Sequence, residues 1–351
     1  MTNRLSRHRQ ARVIDINHMS SRRPLRDDDH AAPAVRKERQ HTMSSRWTGA
    51  GFGLLAALIW GGFPVVTRLG VAHSTLDSYD VTFIRFAVSG TVLLPVLLHR
   101  GFGGLKALPI VLLIVGIGAP YILAVAAGLS LAAVGFFALT PGSMIALTAI
   151  LSRIVMKERL SPMQITGIAT VLLGMALAGS NALSGSGGWA AVALFLLGGL
   201  LWAIYNITAR RWAIDALLAT AIVSVGSAVI YCPIYLATRG LGLLHAPLGA
   251  IVLQAVYQGV MVSILGLYFF SRAVTILGPA VGATFAALVP VLATIEAALL
   301  LGEQPHPLAL LGILIVTIGM AISLFKPYQS ALQSTPASSQ LGQPVPQAEQ
   351  P

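Results

Sequence analysis

The fold of this chain is decided by a stretch that occurs twice. From Met156 to Ala178 the sequence reads M-K-E-R-L-S-P-M-Q-I-T-G-I-A-T-V-L-L-G-M-A-L-A, and from Leu300 it reads L-L-G-E-Q-P-H-P-L-A-L-L-G-I-L-I-V-T-I-G-M-A-I-S. At one offset of 145 residues, the identical pairs include Glu158 and Glu303, Pro162 and Pro307, Gly167 and Gly312, Gly174 and Gly319, and Met175 and Met320. Glycine and apolar matches arise easily by chance in such sequence, and matched Glu and Pro residues less easily. The chain therefore contains an internal repeat.

The composition is that of a polytopic membrane protein. Hydrophobic residues make up 56% of the chain and charged residues 10%, against about 25% charged in soluble domains. The net charge of +11 could indicate nucleic-acid binding, but eleven of the 23 Lys and Arg residues precede Trp47 and most others lie at the ends of apolar runs. Membrane topology explains that distribution better. The single cysteine, Cys232, excludes an intramolecular disulfide and a cysteine metal cluster.

The apolar sequence divides into ten spans. A bilayer core about 30 Å thick is crossed by roughly 17 to 25 apolar residues in a helix. Lipid offers no partners for backbone groups, so the spans are predicted to be helices, with glycines at close helix contacts. The predicted fold is all-α, with transmembrane helices at residues 49–69, 79–98, 107–127, 131–152, 162–181, 189–209, 216–237, 249–271, 277–300 and 307–325.

The positive charges orient these helices. If the N-terminus is cytoplasmic, the outer loops hold Arg239, and the inner loops and helix ends hold ten basic residues, as the positive-inside rule requires. These ten are Arg46, Arg100, Lys106, Arg153, Lys157, Arg159, Arg210, Arg211, Arg272 and Lys326. Both termini are therefore predicted to be cytoplasmic.

Five helices per repeat make the two halves inverted, because five is an odd number. The halves also begin alike, with L-I-W-G-G-F-P-V-V-T-R in the first and L-W-A-I-Y-N-I-T-A-R in the second, which places Trp60 opposite Trp202. We predict repeats at residues 49–181 and 189–325. Inverted repeats are a construction of secondary transporters, with the substrate near the bilayer midplane between the halves.

Polar segments flank the repeats. Residues 1–48 are basic and lack the apolar core of a cleavable signal peptide, and residues 326–351 are rich in Pro, Gln and Ser. Both are predicted to be disordered cytoplasmic tails. Met43 directly precedes the lead-in to the first span, and we predict that translation starts there. Peptides from upstream of Met43 in the native protein would contradict this.

Several motifs resemble the EamA-type members of the drug/metabolite transporter superfamily. They are the L-I-W-G-G-F run with Arg68, F-I-R-F in helix 2, K-E-R-L-S-P after helix 4, and G-P-A-V-G-A-T-F-A-A-L-V-P-V-L-A before L-L-L-G-E. The resemblance covers about residues 49 to 325 and implies a ten-helix carrier, often an exporter of small metabolites. The sequence departs from the pattern at Thr140-Pro141-Gly142, which we expect to break helix 4 and open a polar notch.

Glu296 is the acidic residue that lies well inside a predicted span. A carboxylate there costs about 2.5 to 3.5 kcal/mol on insertion scales, so a functional role is the default hypothesis. It could exchange a proton or bind a cationic substrate group, or it could form a structural ion pair with Arg85. Arg85 could instead hold a substrate carboxylate through its planar fork. For Arg68, near the outer boundary, snorkelling to the interface is expected.

Polar and aromatic side chains cluster in helices 1, 3, 4, 6 and 8 and suit a mid-sized organic solute better than a bare ion. Individually, each could serve as an interface anchor or as a hydrogen bond between helices. As a set, we expect some of them to line the substrate route. The candidates are Trp60, Tyr121, Thr140, Trp202, Tyr205, Asn206, Gln254, Tyr257 and Gln258.

Glu158 and Glu303 are predicted to lie in loops and to cap or tether the following helices, where Pro162 and Pro307 open the first turn. A gating role is the alternative. The sequence contains no catalytic constellation, phosphate loop or metal-ligand motif, so neither an enzyme nor a cofactor is expected.

The sequence therefore predicts an inner-membrane secondary transporter, most simply an exporter, that moves small organic metabolites by alternating access. Proton coupling is a hypothesis, and both a monomer and a homodimer are open. The alternative is a membrane-embedded enzyme or a receptor-like scaffold on the same ten helices. A channel is disfavoured, since no ring of carbonyls or like charges repeats around a pore.

Overall fold

The computed structural model describes residues 31–180, 188–278 and 284–324, with side chains from Trp47 onward. All regular structure in these ranges is helical. The backbone is helical from Ala31, within the segment that the sequence predicts to be a disordered tail. The run A-V-R-K-E-R-Q consists mostly of good helix formers, which accounts for the difference. Residues 1–30 and the predicted C-terminal tail, 326–351, lie outside the described residues.

Nine helices in the described ranges are long and apolar enough to cross a membrane, and a tenth apolar helix is shorter. We label the ten α1 to α10 in chain order. They span α1 Trp47–His73, α2 Ser78–Arg100, α3 Ala107–Leu131, α4 Val134–Val155, α5 Pro162–Ser180, α6 Gly188–Arg211, α7 Ala216–Arg239, α8 Leu248–Leu277, α9 Val289–Leu301 and α10 Pro307–Leu324. The predicted all-α fold with ten apolar helices is confirmed.

Three of these helices change form along their length. The α3 helix is interrupted at Gly118, α4 begins with a 3-10 turn at Val134–Ala138, and α8 contains a π-helical segment at Ala255–Leu265. The α-helical part of α4 starts at Leu139, so Pro141 lies in its first turn, where a missing N–H costs nothing. The expected mid-helix break at this proline is therefore wrong.

The repeated stretch forms the most extensive contact between two helices of the described residues, between α5 and α10. A Cβ on Gly174 would lie 2.7 Å from the carbonyl oxygen of Gly312, and a Cβ on Gly167 would lie 2.8 Å from that of Gly319. The two helices therefore run antiparallel and touch through glycines that are equivalent in the repeat. This geometry fits two inverted repeats and confirms that these glycines serve close packing.

The main hydrophobic core lies among α1, α2, α3, α6 and α7, with Phe86, Leu113, Ile122, Phe195 and Ile222 fully buried. Helix α2 packs along α7, and α4 packs along α6. A large cavity lies beside this core.

Candidate functional site

The cavity has a volume of about 990 Å³ and extends from Arg85 and Tyr121, deep among the helices, to the loop residues Glu158 and Arg159. Arg159 is exposed, so the cavity reaches the surface at the end of the molecule predicted to face the cytoplasm. Its volume is at the upper end of the range of about 300 to 1,000 Å³ for small-molecule sites.

Aromatic rings form much of the inner wall. The rings of Tyr121 and Trp202 meet edge to face with centroids 5.7 Å apart. The Trp60 ring packs on Phe270 at 5.1 Å, and its Nε1 donates to the carbonyl oxygen of Val262 at 3.4 Å. These fixed rings give the cavity an apolar wall with a defined shape.

Asn206 provides an amide on the wall formed by α4 and α6. Its Nδ2 donates to Met144 Sδ at 3.0 Å and lies 3.5 Å from Thr148 Oγ1. All three residues line the cavity. Asn206 lies one helical turn beyond Trp202, so both side chains share the face of α6 that α3 and α4 enclose.

Arg85 is the charged side chain at the inner end of the cavity. Its Nη1 donates to Gln258 Oε1 at 2.9 Å, and its guanidinium carbon lies 5.4 Å from the centre of the Phe63 ring. Its Nε is buried without a hydrogen-bond partner. Gln258 is itself fixed, since its Nε2 donates to Thr67 Oγ1 at 2.7 Å. The guanidinium is thus held in place by an amide and an aromatic face.

An ion pair lies at the end of the molecule that is predicted to face outward. Arg68 Nε lies 2.5 Å from Glu303 Oε1, and the two side chains are 18% and 13% exposed. Arg68 also donates through Nη1 to the carbonyl oxygens of Leu129 and Ala132, and Glu303 accepts from the backbone N–H of Val134 at 2.9 Å. The pair therefore joins the start of α10 to α1, α3 and α4.

A second ion pair lies at the mouth of the cavity. Arg210 Nη2 donates to Glu158 Oε1 at 2.8 Å, with side-chain exposures of 48% and 41%. Arg210 also donates to Ser152 Oγ at 3.1 Å. The offset that aligns Trp60 with Trp202 places Arg210 opposite Arg68, and the repeat places Glu158 opposite Glu303. The two pairs are therefore equivalent positions of the two halves.

These contacts correct two expectations. Arg68 does not snorkel to the interface, because an ion pair with Glu303 and hydrogen bonds to two carbonyl groups hold its guanidinium within the protein. Of the predicted capping or tethering by Glu158 and Glu303, capping is not observed among the described residues, whereas their ion pairs with Arg210 and Arg68 tether the loops that precede α5 and α10. Ser161 and Gln164 form a reciprocal cap at α5, and His306 Nδ1 accepts from the N–H of Leu308 at α10.

Glu296 lies apart from this cavity, between α9 and α1. A Cβ on Gly62 would lie 2.9 Å from Glu296 Oε2, so the glycine makes room for the carboxylate. The hydroxyl of Tyr257 also packs against Gly62 and donates to the carbonyl oxygen of Ile59 at 3.2 Å. Glu296 Oε1 is buried without a hydrogen-bond partner.

The structural ion pair between Arg85 and Glu296, one of the alternatives from the sequence, is not formed. Four ion pairs join described residues, and neither Arg85 nor Glu296 takes part in them. The amide of Gln258 lies beside Arg85 where a carboxylate could have been, so the charge of the guanidinium stays uncompensated.

The structure separates the predicted site residues into two groups. Six line the cavity: Trp60, Arg85, Tyr121, Trp202, Tyr205 and Asn206. Five lie outside its lining: Thr140, Gln254, Tyr257, Gln258 and Glu296. Among the latter, Thr140 donates to the Phe195 carbonyl oxygen at 3.1 Å and Gln254 to that of Val66 at 2.6 Å. These two bonds join neighbouring helices.

The cavity lining also contains residues that the sequence analysis did not select: Phe63, Phe137, Met144, Thr148, Ser224 and Ser263. A helical period could have found Phe63, three residues after Trp60, because the two share one face. No such pattern in the sequence identifies Ser224 and Ser263, since a serine hydroxyl can also donate a hydrogen bond to a backbone carbonyl of its own helix.

Comparison with known families explains the repeated architecture. Residues 47–180 and 189–325 each match the EamA-like transporter family. The chain belongs to this family. This EamA-like protein is therefore a multi-pass membrane transporter of the drug/metabolite type, and the two matched segments agree with the two predicted repeats.

A similar solved structure shows the same fold. It is described as "Crystal structure of protein" and is 19% identical in sequence to this chain. The alignment covers 78% of this chain and 96% of the chain in that structure, with a TM-score of 0.51. A comparison with curated protein sequences finds no match.

Proposed function

We propose that this EamA-like protein is a secondary transporter that exports small organic metabolites across the inner (plasma) membrane by alternating access, with both termini in the cytoplasm. The observation that carries the proposal is the contrast between the two ends of the molecule. The cavity opens at Arg210 and Glu158, which are almost half exposed, whereas Arg68 and Glu303 at the opposite end form a buried pair outside the cavity lining.

The repeat supplies the second state. Because the two ion pairs occupy equivalent positions, a rocking motion that exchanged the conformations of the halves would bury Arg210 and Glu158 and expose Arg68 and Glu303. Inverted-repeat transporters alternate by such an exchange around a fixed central site. The cavity described above corresponds to the state open to the cytoplasm, given the charge bias of the loops.

Cysteine labelling tests this proposal without a known substrate. A Ser224→Cys variant in a Cys232→Ser background places one thiol in the cavity wall. We expect a membrane-impermeant maleimide to label it faster from the cytoplasmic side than from the outer side, in vesicles of defined orientation. Adding Glu303→Gln removes the charge that closes the outer end, and we expect labelling from the outer side to rise.

A Ser89→Cys control in the same background reports general loosening, because Ser89 is fully buried and lies outside the cavity lining. It is expected to stay unlabelled from both sides. Equal labelling of Ser224→Cys from both sides would indicate a channel, and labelling from the outer side alone would reverse the orientation. Either result contradicts the proposal.

Proton coupling through Glu296 is a further part of the proposed function. The carboxylate is partly buried and one of its oxygens has no hydrogen-bond partner, so protonation relieves an unsatisfied charge. Among the described residues, the titratable group that packs beside it is the phenol of Tyr257 on α8, while α1 presents Gly61 and Gly62. Glu296 also lies on α9, directly before the loop that holds Glu303.

A Glu296→Gln variant tests this coupling in proteoliposomes with a pH gradient. The solute is one found by thermal-shift screening of amino acids, nucleosides, amines and drugs, since a ligand of the folded state raises its stability. We expect the variant to lose uphill transport and to keep downhill exchange. Asp215→Asn is the control, because that exposed carboxylate pairs with Arg100 outside the cavity. Undiminished, pH-independent uphill transport by Glu296→Gln would remove Glu296 from the mechanism.

A further inference from the structure

The inner end of the cavity has an unbalanced positive charge. Three arginines and one glutamate are the charged side chains in its described lining. Glu158 already pairs with Arg210 at the mouth, which leaves Arg85 at the inner end and Arg159 at the entrance. A buried charge is normally paired or bound to a counter-charge. For Arg85, no acidic partner lies within ion-pairing distance in the described part of the chain.

The guanidinium is prepared to receive a ligand. Its Nη1 is fixed on Gln258, its face lies against Phe63, and its Nε is buried without a partner. A guanidinium has five N–H donors in a planar fork, which matches the two oxygens of a carboxylate. The amide of Gln258 holds this fork in place without neutralising its charge.

The surrounding wall defines the rest of the ligand. Tyr121, Trp202 and Trp60 present aromatic surfaces in the same cavity as Arg85. Uncharged polar side chains of the lining include the amide of Asn206, the hydroxyls of Ser224 and Ser263 and the phenols of Tyr121 and Tyr205. An ammonium group, which requires an anionic or multiply accepting partner, finds no carboxylate at the inner end in the described lining.

We infer that the substrates are organic anions, each with one carboxylate held by Arg85 and an aromatic or apolar body held by the aromatic wall, and that cationic amines are rejected. This inference rests on the proposed function, because it assigns a ligand class to the same cavity. Arg159 at the mouth assists it by drawing anions towards the entrance.

Four probes that share one ring and one chain length test the charge preference: 3-phenylpropanoate, 3-phenylpropanamide, 3-phenylpropylamine and phenylalanine. Each is titrated against the purified full-length protein in detergent, with thermal unfolding as the readout. We expect a saturable rise in Tm with the propanoate and smaller shifts, or none, with the amide, the amine and the zwitterion. Equal stabilisation by the amine or by the amide overturns the inference, and so does a lack of stabilisation by the propanoate.

Variants of Arg85 locate the site. Arg85→Gln removes the charge and is expected to weaken propanoate binding about 10- to 100-fold, the range for a charge-assisted hydrogen bond. Arg85→Lys keeps the charge and loses the fork, so its loss is expected to be intermediate, and it serves as the second variant if Arg85→Gln does not fold. Arg272→Gln is the matched control, because Arg272 is exposed and outside the cavity lining. Unchanged propanoate affinity in both Arg85 variants overturns the assignment.

Counterflow of labelled 3-phenylpropanoate in proteoliposomes separates this inference from the proposed function. Arg85-dependent binding together with counterflow supports both. Arg85-dependent binding without transport of any solute supports the anion site and contradicts the transporter. Side-dependent labelling of Ser224→Cys with transport of an amine supports the transporter and overturns the anion site.

Discussion

Two ion pairs join the halves of this EamA-like transporter at opposite ends of the molecule, and they occupy equivalent positions of the repeat. Arg68 and Glu303 are less than one-fifth exposed and are supported by three backbone groups. Arg210 and Glu158 are almost half exposed at the mouth of the cavity. The same residue types in the same repeat positions thus have different surroundings. Under the proposed function, this difference reflects the conformation of the molecule.

The comparison suggests how such a fold closes one end at a time. Removing one partner of a buried ion pair strongly destabilises the fold, whereas an exposed ion pair contributes little to its stability. If each pair is strong only when its own end is closed, the two pairs stabilise opposite states. In the proposed cycle, the relative stability of the two states then depends in part on these two pairs.

The largest expected effect is at the buried pair. Glu303→Gln leaves the Arg68 guanidinium buried without its anion, so we expect the free energy of unfolding to fall by about 3–5 kcal/mol. Reversible unfolding in detergent measures it. Pairing the change with Arg68→Gln in a double-mutant cycle isolates the interaction from the single losses. A loss no larger than that at the exposed pair would remove the contrast between the two ends.

An intermediate loss of stability is expected at the contact between α5 and α10, which links the two ends of the molecule. A Cβ on Gly174 would lie 2.6 Å from the Val316 backbone nitrogen and 2.7 Å from the Gly312 carbonyl oxygen, so Gly174→Ala must push α5 away from α10. Overpacking of this kind costs about 1–3 kcal/mol. The same unfolding measurement detects it. Gly249→Ala is the control, since a Cβ there meets nothing within 4 Å, and its stability should change little.

The smallest effect is expected at the exposed pair. Glu158→Gln removes a solvent-screened interaction, so we expect a loss of about 0–1 kcal/mol in the state described here. Raising the salt concentration should lower the stability of the wild type slightly more than that of this variant, because salt screens the pair that the variant lacks. A loss as large as that of Glu303→Gln would show that the two ends are equally closed, contrary to the structure.

Much of the fold could be predicted from the sequence because each span is a local property. Apolar length and the need to satisfy backbone groups within one segment define the ten helices. Most boundaries lie within a few residues of those observed, but α8 extends to Leu277 instead of 271 and α9 begins at Val289 instead of 277. The sequence also predicted glycines at close helix contacts, and the structure places the matched glycines at the contact between α5 and α10. The expected break at Pro141 was wrong because the α-helical part of α4 starts at Leu139. The proline therefore lies in the first turn of that part.

The candidate site could be predicted only in part. Trp60, Trp202 and Asn206 were selected for their residue type and helical face, and they line the cavity. Gln254 and Gln258 share a face in the same way, yet they bond to α1 or hold Arg85. Which face of α8 points towards the cavity depends on how the helix is rotated about its axis, and the π-helical segment alters that rotation.

By itself, the sequence determined that this protein is a ten-helix membrane protein with an internal repeat, because hydrophobicity, span length and charge at helix ends act within each segment. The tertiary structure decided the partners of the charges. Arg68 binds Glu303 across 235 positions of sequence, and Arg85 binds Gln258 and not Glu296. Such partners depend on the depth, rotation and packing of separate helices, which are settled only when the two halves assemble.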